Sequence, residues 1–339
     1  MRKALLLLLV ILTVSCAVHA RRGNDSRPGW LNDPKSLYPD NIYLSAIGEG
    51  DTRRQAEADA AASLARIFET RVETQSTFEE HYYELVVGDQ ADAVTTTNQQ
   101  QDITLSSQQT LLNVQYGESH TDNLGRTHII GYIDRMRTGQ VYEEKIDRGA
   151  GKVRNFLRKG RQSEDLLAAY AYISAALVIS DHNETLMEQL AIISPTMHEF
   201  IELGYRHEEI LAERRETGQQ IGIDVRVTGD SEGKVEAVLR ELLSQRGFAL
   251  RQNGLLRVNA EVRFEDVDLN QPDKAFVRWH LTVNVERAAG ESLVSYYEKQ
   301  REGSINRSQA VAFSYREMEK KLRNNFMKQF MGYLAGLAE

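Results

Sequence analysis

Apolar and polar side chains alternate with a period of two along three segments in the last third of the chain. The segments are 221–227, 256–264 and 277–285. Such alternation is typical of a strand that buries one face and exposes the other. Residues 292–301 add a further predicted strand, and apolar spacing of three and four predicts helices over 231–246 and 308–337. Region 219–339 is therefore predicted to be an α+β domain.

Helical spacing characterises the middle of the chain, over residues 141–218. An apolar stripe over 166–177 predicts a helix that Ser163 can cap. The polar residues 181–183 are expected to break this stripe, and another helix is expected over 197–215. The region is therefore predicted to be a helical hairpin segment that acts as a spacer.

The N-terminal region combines strand and helix patterns that predict a second α+β domain, over residues 28–140. A mostly apolar strand at 42–47 ends at Gly48-Glu49-Gly50, and Asp51-Thr52 can cap the alanine-rich helix that follows. Further strands are predicted at 72–87, 111–116 and 127–134, with a loop at 88–101 and a turn at 122–125. The predicted fold class is α+β. It has two α/β-sandwich units, each an antiparallel sheet with helices on one face, separated by the helical hairpin segment.

Four features of the N-terminal region together resemble the lipoprotein-20 (LPP20) family of bacterial envelopes. They are Pro28-Gly29-Trp30, the Gly48-Glu49-Gly50 turn, the alanine-spaced helix 55–62 and the strand end Gly131-Tyr132-Ile133-Asp134. The resemblance covers residues 28–145 and implies a bacterial lipoprotein. Members of this family include surface-associated lipoproteins and envelope components linked to flagellar structures. The helical region and the C-terminal domain lie outside the resemblance.

The start of the chain has the layout of an export signal. A basic beginning precedes an apolar run over 4–14, and Cys16 is the only cysteine of the chain. The residues before Cys16 resemble a lipobox, the acylation signal of bacterial lipoproteins, although Thr13 stands where leucine is usual. We therefore predict a signal peptide over 1–20 with lipidation at Cys16, followed by a short tether over 21–27.

A second cleavage site leaves an alternative open. Val18-His19-Ala20 suits ordinary signal peptidase, and cleavage there would discard Cys16 and release a soluble protein that begins at Arg21. Lipidation would instead hold the chain durably, because several acyl chains anchor far better than one. Ala17 is not the aspartate that favours inner-membrane retention. The expected location is therefore the cell envelope, at the periplasmic face of the outer membrane, and otherwise the periplasm or the exterior.

The net charge argues against a nucleic-acid partner. The chain has 41 basic and 49 acidic residues, a net charge of −8. Loss of Arg2 and Lys3 with the signal leaves 39 against 49, or −10. This acidic excess repels phosphate backbones and anionic head groups. The expected partners are a membrane, reached through N-terminal acyl chains, and envelope proteins or further copies of this chain.

The motifs that would support chemistry are incomplete. Arg53 stands where a dinucleotide fingerprint needs a third glycine after Gly48 and Gly50, so a tight turn with a nearby cap is favoured over a phosphate cradle. The sequence has neither a Gly-x-Ser-x-Gly nor a His-Glu-x-x-His motif. His198 and His207 would point in opposite directions on one helix. We therefore predict no enzymatic activity, no cofactor and no metal site.

Two tyrosine pairs are candidates for a protein interface. Tyr82-Tyr83 and Tyr296-Tyr297 are adjacent in predicted strands, so each pair places one ring on either face of its strand. An outward tyrosine is a common interface anchor. The alternative is a sheet whose two faces are both partly covered.

The combined prediction is a non-enzymatic structural and interaction component of the cell envelope, anchored to a membrane. An alternative function is periplasmic binding of a small ligand or glycan, in a cleft formed by the two α+β units around the spacer. That alternative predicts a concave apolar pocket with a few converging polar groups.

Overall fold

A computed structural model describes residues 27–68 and 113–338 of the chain. Of these, 27–64 and 114–133 form one compact unit, and 134–338 form most of a second. The signal segment with Cys16, the pair Tyr82-Tyr83, the strand predicted at 72–87 and the loop predicted at 88–101 lie outside the described residues.

The first unit is a three-stranded sheet with a helix packed on it. Strands β1 (Tyr43–Gly50), β2 (Gln115–Thr121) and β3 (Thr127–Asp134) lie in the order β1-β3-β2, and β2 pairs antiparallel with β3. Helix α1 (Arg53–Ala65) follows β1. The turn predicted at 122–125 is present, with φ of +82° at Gly125. In contrast, β1 continues through Gly50, and β2 lies later in the chain than the strand predicted at 111–116.

Small residues let α1 approach the sheet at backbone distance. A Cβ on Gly48 would overlap the backbone of Ala56 and Ala60, and a Cβ on Gly131 would lie 3.0 Å from the Cβ of Ala60. Ala56 and Ala60 are completely buried. A glycine in a strand often marks such a close approach of another backbone. The glycine and alanine pattern of this region is therefore a packing requirement.

The second unit is built on a four-stranded sheet in the order β4-β5-β6-β7. The strands are β4 (Ile223–Thr228), β5 (Leu256–Val267), β6 (Ala275–Arg287) and β7 (Ser292–Ser304). The three long strands pair antiparallel, whereas β4 runs parallel to β5. Helix α6 (Lys234–Gln245) lies between those two strands in the chain and supplies the crossover that a parallel pair needs. The α+β class is confirmed, with one parallel edge strand added to the predicted antiparallel sheet.

One face of this sheet forms the core of the second unit. Alternate residues from Leu256 to Val262 in β5 and from Val277 to Val285 in β6 point into it and are nearly or completely buried. Helices α6, α7 (Arg307–Lys321) and α8 (Met327–Gly336) contribute to the same core. A π-helical turn, Leu322–Phe326, joins α7 to α8. The helix predicted over 308–337 is therefore present as two α-helices that continue into each other through a π-helical turn.

Four helices occupy the middle of the chain. They are α2 (Arg135–Gln162), α3 (Leu166–Ile193), α4 (Pro195–Phe200) and α5 (His207–Ile221). Helix α3 shares the core of the C-terminal sheet, to which Leu167, Tyr170 and Val178 belong. The domain boundaries predicted at 140 and 218 stay predictions, while the structure joins 134–338 in one compact unit. In the described ranges, no helix has the length and apolar character needed to cross a bilayer.

The break predicted at 181–183 is wrong, because α3 runs unbroken through these residues. Asn183 is completely buried, and its side-chain NH₂ donates to the Ile146 carbonyl at 3.1 Å and to the Tyr205 hydroxyl at 3.0 Å. Gly149 makes room for it, since a Cβ there would overlap the amide. A buried polar side chain with such partners is compatible with a helix interior.

Two other helix boundaries differ from the predictions. Asp165, and not Ser163, caps α3, because the Asp165 carboxylate accepts from the Leu167 N–H at 3.0 Å. The Ser163 hydroxyl donates instead to the Asp165 carbonyl. The helix predicted over 197–215 is divided into α4 and α5, and Gly204, with φ of +71°, lies in the link between them.

Candidate interaction surfaces

The structure separates the two rings of the pair Tyr296-Tyr297. Tyr296 is 7% exposed, lies 6.0 Å from Phe326 between ring centroids, and donates its hydroxyl to Glu298 at 3.0 Å. Burial and then the Glu298 carboxylate raise the pKa of Tyr296. Tyr297 points to the opposite side and is 56% exposed. Tyr296 is therefore a core residue, and Tyr297 is the ring of this pair that can meet a partner.

Tyr297 lies on the open face of the second sheet, which we define as the outward side of β5, β6 and β7. Three adjacent rows cross this face: Asn259, Asn284 and Ser295; Glu261, Thr282 and Tyr297; and Arg263, His280 and Lys299. These side chains are polar, exposed or half-buried, and of both charge signs. The face is thus suited to a polar partner surface and presents no single-sign field.

A hydrogen bond to His280 holds Tyr297 in place. Its hydroxyl lies 2.8 Å from His280 Nδ1, and His280 Nε2 lies 3.4 Å from the Glu265 carboxylate. Arg278 approaches the same carboxylate at 3.6 Å. The hydrogen bond from His280, with the charges of His280 and Arg278, lowers the pKa of Glu265. A ring fixed in this way loses little conformational entropy when a partner binds.

The Gly48-Glu49-Gly50 segment is organised around its own helix cap. Thr52 and Gln55 form a capping box, since the Gln55 N–H donates to the Thr52 hydroxyl at 3.2 Å and the Thr52 N–H donates to the Gln55 side chain at 3.1 Å. The Glu49 N–H donates to the Asp59 carboxylate at 3.0 Å. A backbone donor that a phosphate would need is therefore already used by an acidic side chain.

The histidines make separate local contacts. His128 Nε2 lies 3.2 Å from Asp122, and this hydrogen bond is the main cause of the lowered pKa of Asp122. His198 and His207 lie on α4 and α5, so the expectation that one helix carries both is wrong. Within 27–68 and 113–338, no three His, Cys, Asp or Glu side chains come together as metal ligands do.

One arrangement that the sequence did not predict joins α5 to α3. His207 Nδ1 lies 3.1 Å from the Ser180 hydroxyl, and His207 Nε2 lies 3.3 Å from the Asp181 carboxylate. A serine, histidine and aspartate in line can perform acyl transfer when the hydroxyl meets a substrate. Ser180 is completely buried in the helix contact. We therefore assign this arrangement to fastening α5 onto α3.

Helix α5 also exposes a stripe that the sequence analysis missed. Glu208, Leu211, Ala212, Arg215, Glu216 and Gln219 line an open groove along it. Its other side buries Ile210, Thr217, Gly218 and Ile221. The sequence predicts a helix over 197–215, but helical spacing alone does not say which side of the helix faces the core. Because one helix lines this groove and it is open, it differs from the concave apolar pocket that the small-ligand alternative predicts.

Comparisons with known proteins find a protein family and several solved structures. The model of the LPP20 lipoprotein family matches residues 28–130. No curated protein matches the chain. Among solved structures, the secreted protein HP1454 of Helicobacter pylori is 14% identical, with a TM-score of 0.43, over 84% of this chain and 98% of that one. A minor lipoprotein of Acinetobacter baumannii is 13% identical, with a TM-score of 0.26, over 33% of this chain and 94% of that one.

The family match confirms the resemblance drawn from the N-terminal motifs. It includes Pro28-Gly29-Trp30, β1 and α1, and it ends in β3. It supports a bacterial lipoprotein, and therefore a protein of the cell envelope or a secreted one. Over residues 28–130, this chain is similar to the LPP20 lipoprotein family.

Proposed function

We propose that this chain is an envelope lipoprotein, anchored through Cys16, that works by protein–protein contact and not by catalysis. The observation that carries the proposal is the LPP20 match beginning at residue 28, shortly after a lipobox-like segment that contains the only cysteine of the chain. The intervening residues 21–27 are polar and charged and would serve as the tether.

The anchor follows from the energetics of acyl chains in a bilayer. Each buried CH₂ group contributes about 0.8 kcal/mol, so one chain binds reversibly and several bind durably. Bacterial lipoproteins typically carry three, all on the N-terminal cysteine. Because Ala17 does not supply the aspartate of inner-membrane retention, we propose the periplasmic face of the outer membrane as the location.

The open face around Tyr297 supports the contact function. Tyr297 is exposed yet held by His280, and Arg278 and Glu265 extend the same network of polar contacts. An ordered aromatic ring amid polar groups of both signs is a common hot-spot arrangement of protein interfaces. Envelope proteins are therefore the proposed partners of this face.

Labelling of the full chain with a fatty-acid analogue in a Gram-negative host tests the anchor. We expect label on the wild-type chain and none on Cys16→Ser, while Ser15→Ala serves as the matched control that keeps the label. Ala17→Asp should keep the label and move the protein to the inner membrane. A mature N-terminus at Arg21 would contradict lipidation.

Capture of envelope proteins from detergent extracts tests the contact face. We expect partners captured by the wild-type chain to be lost with Tyr297→Ala and kept with Tyr116→Ala, a tyrosine exposed in the first unit. Equal capture by all three chains would remove the open face from the proposal.

A further inference from the structure

We propose that α5 pairs antiparallel with α5 of a second copy of this chain. The proposal deepens the contact function above, on which it rests, by naming a partner for a surface other than the open face. It concerns the exposed stripe formed by Glu208, Leu211, Ala212, Arg215, Glu216 and Gln219.

The stripe presents its side chains to solvent. Leu211 is 45% exposed, and Ala212 and Arg215 are exposed beside it. The Glu208 side chain is 86% exposed and meets Arg206 only at 3.8 Å, a separation at which an exposed ion pair contributes little. Among the residues that the structure describes, Arg215 has no ion-pair partner. An apolar pair flanked by opposite charges is therefore available to a partner.

Antiparallel pairing makes this stripe complementary to itself. In the register that places Leu211 against Ala212 of the other copy, Glu208 lies opposite Arg215. The twofold axis between the helices repeats each contact, so two ion pairs flank an apolar centre. Positions three and four apart share one helix face, which keeps the four residues in a single seam.

Parallel pairing of the same stripe is disfavoured. It would place Glu208 against Glu208 and Arg215 against Arg215, and like charges in register cost free energy. The antiparallel partner is therefore selected by attraction in one orientation and by repulsion in the other.

The size of the seam predicts a weak pair. Helix α5 has 15 residues and is about 22 Å long, and one helix against another buries less than the roughly 1,200–2,000 Å² of stable interfaces. We expect a concentration-dependent equilibrium between monomer and dimer. Tethering both copies to one membrane would favour the dimer by raising the effective concentration.

Charge reversal tests the register. We would measure sedimentation velocity of the full chain over a range of protein concentrations, with detergent micelles in large excess over protein. We expect Glu208→Arg and Arg215→Glu each to raise the dimer dissociation constant at least about tenfold, because each places like charges in contact twice. The matched control is Glu144→Arg on α2, an equal charge change at a side chain that is 79% exposed. It should leave the dissociation constant unchanged.

Mixing the two reversed chains gives the decisive comparison. In a mixed pair every reversed side chain again faces an opposite charge, so we expect dimers in the mixture and monomers in each chain alone. Circular dichroism of each variant checks that it is folded. A wild-type chain that stays monomeric at every concentration, or a mixture no better than its components, would overturn the pairing. Lost acyl labelling with the dimer intact would instead contradict the anchor.

Discussion

The two sheets of this protein pack against their helices through side chains of very different size. In the first unit, α1 lies on Gly48 and Gly131 with its alanines, and backbones meet. In the second, α7 and α8 are held off the sheet by large side chains such as Trp279 and Phe330. The contact between α1 and the first sheet therefore leaves no space for an added methyl group. The contact between the second sheet and its helices depends instead on the volume of large buried side chains. The chain has two tryptophans, and Trp30 and Trp279 are buried in different units, so fluorescence can follow each.

The largest effect is expected from removing volume in the second unit. Trp279 is completely buried between the sheet and its helices. Trp279→Ala should lower the free energy of unfolding by about 3–5 kcal/mol, through lost apolar burial and the cavity left behind. Urea unfolding followed by far-UV circular dichroism measures this, with Trp279→Phe as the milder control. A loss under 1 kcal/mol would contradict a volume-dependent core.

The next effect is expected from adding volume in the first unit. Gly48→Ala would place a Cβ against the backbone of Ala56 and Ala60, which cannot move without displacing α1. We expect the free energy of unfolding to fall by about 1–3 kcal/mol. This variant and its control are both made in a Trp279→Phe chain, so that Trp30 fluorescence reports the unfolding of the first unit, and the transition should come at a lower urea concentration. Gly29→Ala is the control, because nothing lies within 4 Å of a Cβ there. Equal stability of both variants would contradict the close approach.

A smaller, pH-dependent effect is expected where α3 begins. The Arg287 hydrogen bond is the main cause of the lowered pKa of Asp165, and the same carboxylate caps α3. Because the folded pKa is lowered, this stabilisation is complete above the unfolded pKa near 3.8 and is lost as the pH falls through the folded value.

Asp165→Asn isolates the ion pair, since asparagine still caps a helix well. We expect it to lower the free energy of unfolding by about 0.5–1 kcal/mol at pH 7, discounted for the partial exposure of both groups, and by less at pH 3. Asp165→Ala should cost more at both values, because it also removes the cap. A pH-independent difference between Asp165→Asn and the wild-type chain would contradict the ion pair.

The sequence predicted those helices and strands whose pattern depends only on residues close together in the chain. Alternation in β5 and β6 identified the buried face, because a period of two is set by the strand itself. The alanine-rich helix predicted after Asp51-Thr52 is likewise present, as α1. The polar residue Asn183 predicted a break in the helix. Its hydrogen-bond partners Ile146 and Tyr205 are far from it in the chain, so the sequence does not reveal them.

The surfaces were harder to predict for the same reason. Adjacent tyrosines show that one ring faces outward but not which one, and only packing against Phe326 assigns Tyr296 to the core. In α5, the adjacent apolar residues Ile210 and Leu211 point in directions about 100° apart. Which of the two is buried depends on the apolar side chains of α3 against which the helix packs.

Where the main chain of α1 rests on the main chain of β1, substitution has almost no freedom. A glycine at a position that has no room for a side chain should remain unchanged in relatives whose other residues differ. Distant relatives of this region should therefore be sought with a short pattern of glycine and alanine spaced as at Gly48, Ala56 and Ala60, and not by overall similarity.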